Sequence, residues 1–196
     1  QRSDVNFQHA ARMVLKGKIG KVKQVLVHVG QPEHPVPYDL EKQEIPAGLD
    51  WKTWLGPLPT LHYNEKLNPP ISLDPEQNEK LWGAWRSYKE TGGGYMTDWG
   101  AHMFDIAQWG LGLDRSGPIK VIPANDGKPL TYHYANGVEM VVGPFDGNRQ
   151  GVQFIGEEGW IKVSRGNFDS SDKSLKPTME LPTLTWPYCA TGTIKF

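Results

Sequence analysis

The sequence predicts an α+β fold: an open, mostly antiparallel β-sheet with helices on one face. Three observations carry this. Thr131–Ala135 and Val138–Val142 flank Asn136-Gly137, the strongest short hairpin signal. Gly151–Ile155 and Trp160–Val163 flank Gly156-Glu157-Glu158-Gly159, a second hairpin. Helical periodicity is confined to the N-terminus and to a stretch after residue 92, so helices and strands do not alternate as in a βαβ chain.

The elements follow in order. Ser3 or Asp4 can cap a helix whose apolar positions are Phe7, Ala10, Ala11, Val14 and Leu15. Gly17 and Gly20 bracket its end, with Lys16 and Lys18 near the negative end of the dipole. Val22–Val29 is β-branched and partly alternating, which predicts a strand. From Gly30 to about Pro75 prolines recur around Leu49-Asp50-Trp51-Lys52-Thr53-Trp54-Leu55-Gly56-Pro57, an excursion too apolar for a solvated tether. Glu79–Glu90 is a short helix or an irregular segment, broken by Gly92-Gly93-Gly94, and a helix is expected over Thr97–Leu111. The Ser/Pro/Thr-rich tail after Gly166 has no readable pattern.

Composition narrows the classes. The 196 residues carry 21 Lys+Arg against 22 Asp+Glu, a net charge of -1, without the basic excess of a nucleic-acid footprint. No apolar run approaches the roughly 18 residues of a membrane span, and the mean hydropathy is -0.53. The lone Cys189 excludes an intrachain disulfide framework and any multi-cysteine zinc site. Glycine (22) and proline (16) exceed average usage, and eight tryptophans accompany them, so the chain reads as folded and loop-rich with aromatic surfaces. It opens Gln1-Arg2-Ser3-Asp4 without an initiator Met or signal-peptide pattern, which reads as an excised fragment or mature product and leaves the compartment unread.

The chemistry concentrates in Gly92–Trp109. At about 100° per residue, Asp98, His102, Asp105 and Trp109 fall on one stripe at about 0°, 40°, -20° and 20°. Two carboxylates, an imidazole and an indole make a poor core face, because buried charges need partners, and a good pocket wall. A histidine exchanges protons near neutrality, and a carboxylate four residues earlier can raise its pKa and orient it. The triple glycine permits tight turns and close approach of backbone to a ligand. The same stripe also fits a capped surface helix with His102 solvated, or a divalent-ion site, although a second regularly spaced histidine is missing.

Gly92-Gly93-Gly94-Tyr95-Met96-Thr97-Asp98-Trp99-Gly100-Ala101-His102, with Asp105 beyond, closely resembles the Gfo/Idh/MocA oxidoreductase family. Arg2-Ser3-Asp4 with Phe7, Lys18-Ile19-Gly20-Lys21, Gly48–Pro57 and Gly156–Trp160 extend the resemblance over residues 2 to about 163. It implies an N-terminal Rossmann domain binding NAD or NADP, a C-terminal domain on a large open sheet, and a sugar or polyol substrate between them. His102 would be the base that takes the hydroxyl proton as hydride leaves for the nicotinamide. Asp98 would orient His102, and Asp105 would bind a substrate hydroxyl. Trp85, Arg86 and Tyr95 are further candidate substrate-binding residues.

The departures define what is expected of this chain. No Gly-x-Gly-x-x-Gly follows a strand, and no Glu-Lys-Pro occurs; Glu65-Lys66-Leu67 and Lys176-Pro177 are near misses. Residues 1–20 are therefore expected to connect to a missing cofactor domain and 21–196 to form the substrate-binding domain. No Rossmann domain is expected, the main cofactor site lies outside the chain, no metal is assigned, and the chain alone would be inactive. An NAD-assisted glycoside-cleaving relative would use the same residues. A non-enzymatic carbohydrate-binding module would instead use Trp51, Trp54, Trp82 and Trp85. An open sheet needs its exposed face covered, which predicts self-association through the sheet.

Overall fold

The structure, a computed structural model, describes residues 1–30, 34–67, 69, 83–147 and 149–177. Trp82 and Cys189 lie outside them. Asp4 opens the first helix, α1 (Val5–Leu15): its Oδ1 accepts from the backbone N–H groups of Asn6 and Phe7, satisfying two donors that the first turn leaves unpaired. Phe7, Ala10, Ala11 and Val14 are buried at the expected spacing, whereas Leu15 is exposed. Strand β1 (Val22–His28) follows.

The remaining strands are β2 (Lys120–Ile122), β3 (Thr131–His133), β4 (Glu139–Val142), β5 (Gly151–Gly156), β6 (Trp160–Ser164) and β7 (Asn167–Ser170). They form one seven-stranded sheet in the order β2-β3-β4-β1-β5-β6-β7. Both expected hairpins are present as β3–β4 and β5–β6. Asn136 Oδ1 accepts from the Val138 N–H and Gly137 sits at φ 86°, the left-handed conformation this turn requires. One pair is parallel: β1 inserts between β4 and β5 and runs with β4. The unreadable stretch after Gly166 begins with β7 and a 3₁₀ turn at Lys173–Leu175.

The second long helix, α3 (Gly94–Gly110), starts three residues earlier than its periodicity predicts. It packs against α1, β1 and β5, so both long helices cover one face of the sheet. Met103, Ile106 and Ala107 of α3 join Phe7, Ala10 and Ala11 of α1 over Val25, Val27, Val152, Phe154, Ile161 and Val163.

The proline-rich excursion builds a second, smaller core. Asp50 caps the short helix α2 (Trp51–Leu55), accepting from the Thr53 N–H at 2.9 Å. Trp51, Leu55, Tyr63, Leu67 and Tyr88 are buried together. Val36 ties this unit to the 3₁₀ turn Ala84–Ser87 through backbone hydrogen bonds with Ser87 and Lys89 at 2.9 and 2.8 Å. No helix among the described residues is long and apolar enough to cross a membrane.

Candidate active site

The triple glycine serves the fold first. A Cβ on Gly92 would lie 2.8 Å from the carbonyl oxygens of both Trp85 and Arg86, and Gly94 enters α3 at φ 68°. Only glycine lets the chain turn this closely past the 3₁₀ segment and into the helix. The turn sets Arg86 beside the first turns of α3.

The predicted stripe divides into two halves. In its upper half, Asp98 and His102 are half-buried on one flank of α3. Arg86 Nε donates to Asp98 Oδ1 at 3.3 Å, while its Nη1 donates to the Gly83 carbonyl. The guanidinium also stacks over the Trp85 ring, 4.3 Å from its centroid. Asp98 is thus held by Arg86 rather than by the imidazole it was expected to orient.

His102 meets the Trp99 ring edge-to-face at 6.2 Å, and the Arg165 guanidinium lies over the same indole, 4.1 Å from its centroid. Neither imidazole nitrogen is hydrogen-bonded within the described residues. Burial holds the His102 pKa below the usual 6.5, assisted by the positive N-terminal amine and Arg165; Asp98 and Asp105 pull upward and are outweighed. The expected carboxylate-raised pKa is therefore reversed. The net shift favours the uncharged imidazole.

The lower half is closed. Arg2 grips Asp105 through Nε at 2.8 Å and Nη2 at 2.6 Å, and Asp114 through Nη1 at 3.1 Å and Nη2 at 2.7 Å. Its guanidinium lies 5.1 Å from the Trp109 ring centroid. These two carboxylates hold the Arg2 pKa above its already high ordinary value. Both Asp105 oxygens are engaged, so Asp105 anchors the chain's first residues to α3 in this structure.

Tyr95 sits at the start of α3 over Gly30: a Cβ there would meet Tyr95 Cδ1 at 2.9 Å and Gln150 Nε2 at 2.7 Å. Tyr95, Trp85 and Arg86 therefore frame the same end of α3 as Asp98. Arg165, Arg2 and Asp114 were not predicted as site residues. Arg165 has no motif; it is an exposed residue of the β6–β7 turn, delivered to Trp99 only by the sheet.

Trp51 is 6% exposed and donates its indole N–H to the Leu61 carbonyl at 2.8 Å, so it forms core rather than a sugar platform. Trp54 stacks flat against it at 4.6 Å. Among the described residues, no three His, Cys, Asp or Glu side chains converge to hold a metal ion.

Residues 33–182 match a family model described as oxidoreductase family, C-terminal alpha/beta domain, of the Gfo/Idh/MocA group. No curated protein matches. Among solved structures, the chain is similar to GenD2 from gentamicin A biosynthesis in complex with NAD, with 17% identity, TM-score 0.42, and coverage of 83% of this chain and 37% of that one. It is also similar to the aldose-aldose oxidoreductase from Caulobacter crescentus complexed with glycerol, with 15% identity, TM-score 0.43, and coverage of 86% and 42%. The chain spans less than half the length of either. The family match covers most of the sequence, and the open sheet of the described residues agrees with it: this chain belongs to the Gfo/Idh/MocA oxidoreductase family and carries its C-terminal α/β domain.

Proposed function

We propose that the chain supplies the substrate-binding and acid/base half of an NAD(P)-dependent oxidoreductase acting on a sugar, polyol or related carbohydrate. One observation carries the reading: His102 presents an imidazole with no hydrogen bond to the described residues, its pKa lowered by burial, beside Asp98 on a half-buried helix flank. A base poised this way takes the proton from a substrate hydroxyl, an assistance worth about 10²–10⁴-fold.

Asp98, fixed by Arg86, would accept a hydrogen bond from a neighbouring hydroxyl and stabilise the imidazolium that forms. Trp85 and Tyr95 would pack against the ring carbons. Asp105 would reach a substrate hydroxyl only as far as Arg2 shares it.

The described residues do not fit a dinucleotide. No strand among them passes through a glycine-rich turn into a helix N-terminus, since α3 follows the 3₁₀ segment. In this reading a nicotinamide, which accepts hydride, is held by a domain outside the chain, and α1 leads from it. The half-buried Leu26, Val141, Ile155 and Trp160 on the sheet face away from the helices would be covered by a second copy.

The test is turnover by the full-length protein on a panel of aldoses and polyols, following nicotinamide reduction. Reduction of NAD or NADP by a carbohydrate supports the reading. Release of reducing sugar from a glycoside without net reduction assigns the glycoside-cleaving chemistry instead, and silence toward every carbohydrate removes the substrate class.

A further inference from the structure

A cleft of about 410 Å³ lies at the β6–β7 end of the sheet, separate from the Asp98/His102 wall. Strand alternation shows which face it occupies. Ile161 and Val163 point into the core beneath the helices, so Lys162 and Ser164 point to the opposite face. The register sets Asp169 beside Lys162 and Asn167 beside Ser164 on that same face.

Its charge is unbalanced. Asp146, in the β4–β5 connection, pairs with Lys162 at 2.9 Å, and Asp169 pairs with Lys173 at 2.7 Å. Those pairs account for both carboxylates among the described lining residues. Arg149 and Lys176, which also line it, have no acidic partner among the described residues. The described lining residues thus carry an excess of two positive charges in a chain whose net charge is -1. The hydroxyl of Ser164 and the amide of Asn167 add neutral donors on the floor, one amide hydrogen being spent on the Arg165 carbonyl.

A guanidinium fork, ammonium groups and neutral donors around one cavity match the charge and acceptor geometry of a phosphoryl group. A neutral sugar finds little here. The only aromatic ring among the described lining residues, Phe168, packs into the core and meets His9 edge-to-face at 5.0 Å. The volume exceeds that of a bare phosphate and accommodates a small organic group beside it.

We propose that this cleft is a binding site for a small phosphate monoester, its phosphoryl group seated between Arg149 and Lys176 over Ser164. The site needs no residue of the Asp98/His102 wall and lies at the β4–β5 and β6–β7 loop end of the sheet face whose apolar centre a second copy would cover.

The test is calorimetric titration of the 196-residue chain at low salt with glucose 6-phosphate, inorganic phosphate and glucose. Glucose 6-phosphate is expected to saturate the site, inorganic phosphate to bind it more weakly, and glucose not to bind there. Arg149→Gln with Lys176→Gln should weaken the ester at least about tenfold. Lys52→Gln, on the distant arm, should leave it unchanged. Arg149 and Lys176 are both exposed, so their loss spares the core, and an unchanged melting temperature verifies this. Amide shifts at Ser164 and Asn167 should accompany saturation. The proposal is overturned by any of three results: no saturation by the ester below about 10 mM, equal binding of glucose or inorganic phosphate, or binding indifferent to the double substitution.

Discussion

Arg2 and Asp105, 103 positions apart, meet in a two-point ion pair at 2.8 and 2.6 Å. Asp114 completes a carboxylate–guanidinium–carboxylate cluster over Trp109. The cluster fastens the first residues of the chain to the helix that carries Asp98 and His102. Arg2→Ala should lower stability by about 1 kcal/mol, a modest figure because the side chains are more than a third exposed. Urea denaturation at low and high salt measures it: the loss should shrink with salt, and a salt-independent loss would mean that packing on Trp109 dominates.

The lowered His102 pKa makes a signed prediction. The unfolded chain takes up the proton near pH 6.5, while the folded chain takes it up only at lower pH. The stability this contributes is complete above pH 6.5 and is lost as pH falls through the folded value. Imidazole resonances should place His102 below 6.5, and Arg165→Gln should move it upward, because a nearby positive charge is removed. No movement would separate Arg165 from His102.

The second core predicts a large effect from one residue. Trp51→Ala removes a 6% exposed indole and its hydrogen bond to the Leu61 carbonyl. A cost of about 3–5 kcal/mol is expected, read by denaturant unfolding and by amide exchange within residues 50–67. A carbohydrate platform would show the opposite pattern, unchanged stability with lost sugar binding.

Gly92→Ala should cost about 1–3 kcal/mol, since its Cβ would press on two backbone carbonyl oxygens at 2.8 Å. Gly117→Ala, with nothing within 4 Å of its Cβ, is the matched control and should stay within about 0.5 kcal/mol. Thermal unfolding of the pair separates close packing from a general glycine effect.

These residues also show what could be read from sequence. The β3–β4 hairpin was legible because Asn136-Gly137 states its turn within two residues. Asp4 announced α1 by the same local chemistry. The parallel pairing of β1 with β4 was not legible, because the partners of Val25 and Leu26 lie 115 residues away at Met140 and Val141. Strands β2 and β7, three and four residues long, are too short to show alternation. In the site, helical spacing placed Asp98, His102, Asp105 and Trp109 on one stripe, but spacing alone does not reveal which carboxylates are already paired. Arg2 and Arg86 decide that, and both arrive from outside the helix. The fall in the His102 pKa was likewise hidden, because it depends on burial and on the charges of the N-terminal amine and of Arg165 in the β6–β7 turn.

The most direct measurement is single-turnover oxidation by the full-length protein carrying His102→Ala, compared with the unsubstituted full-length protein at pH 7.5 with saturating nicotinamide and carbohydrate. Proton removal by His102 predicts a rate lower by about 10²–10⁴-fold with nucleotide affinity nearly unchanged. A variant oxidising its substrate at the native rate would contradict the assignment of His102 as the base.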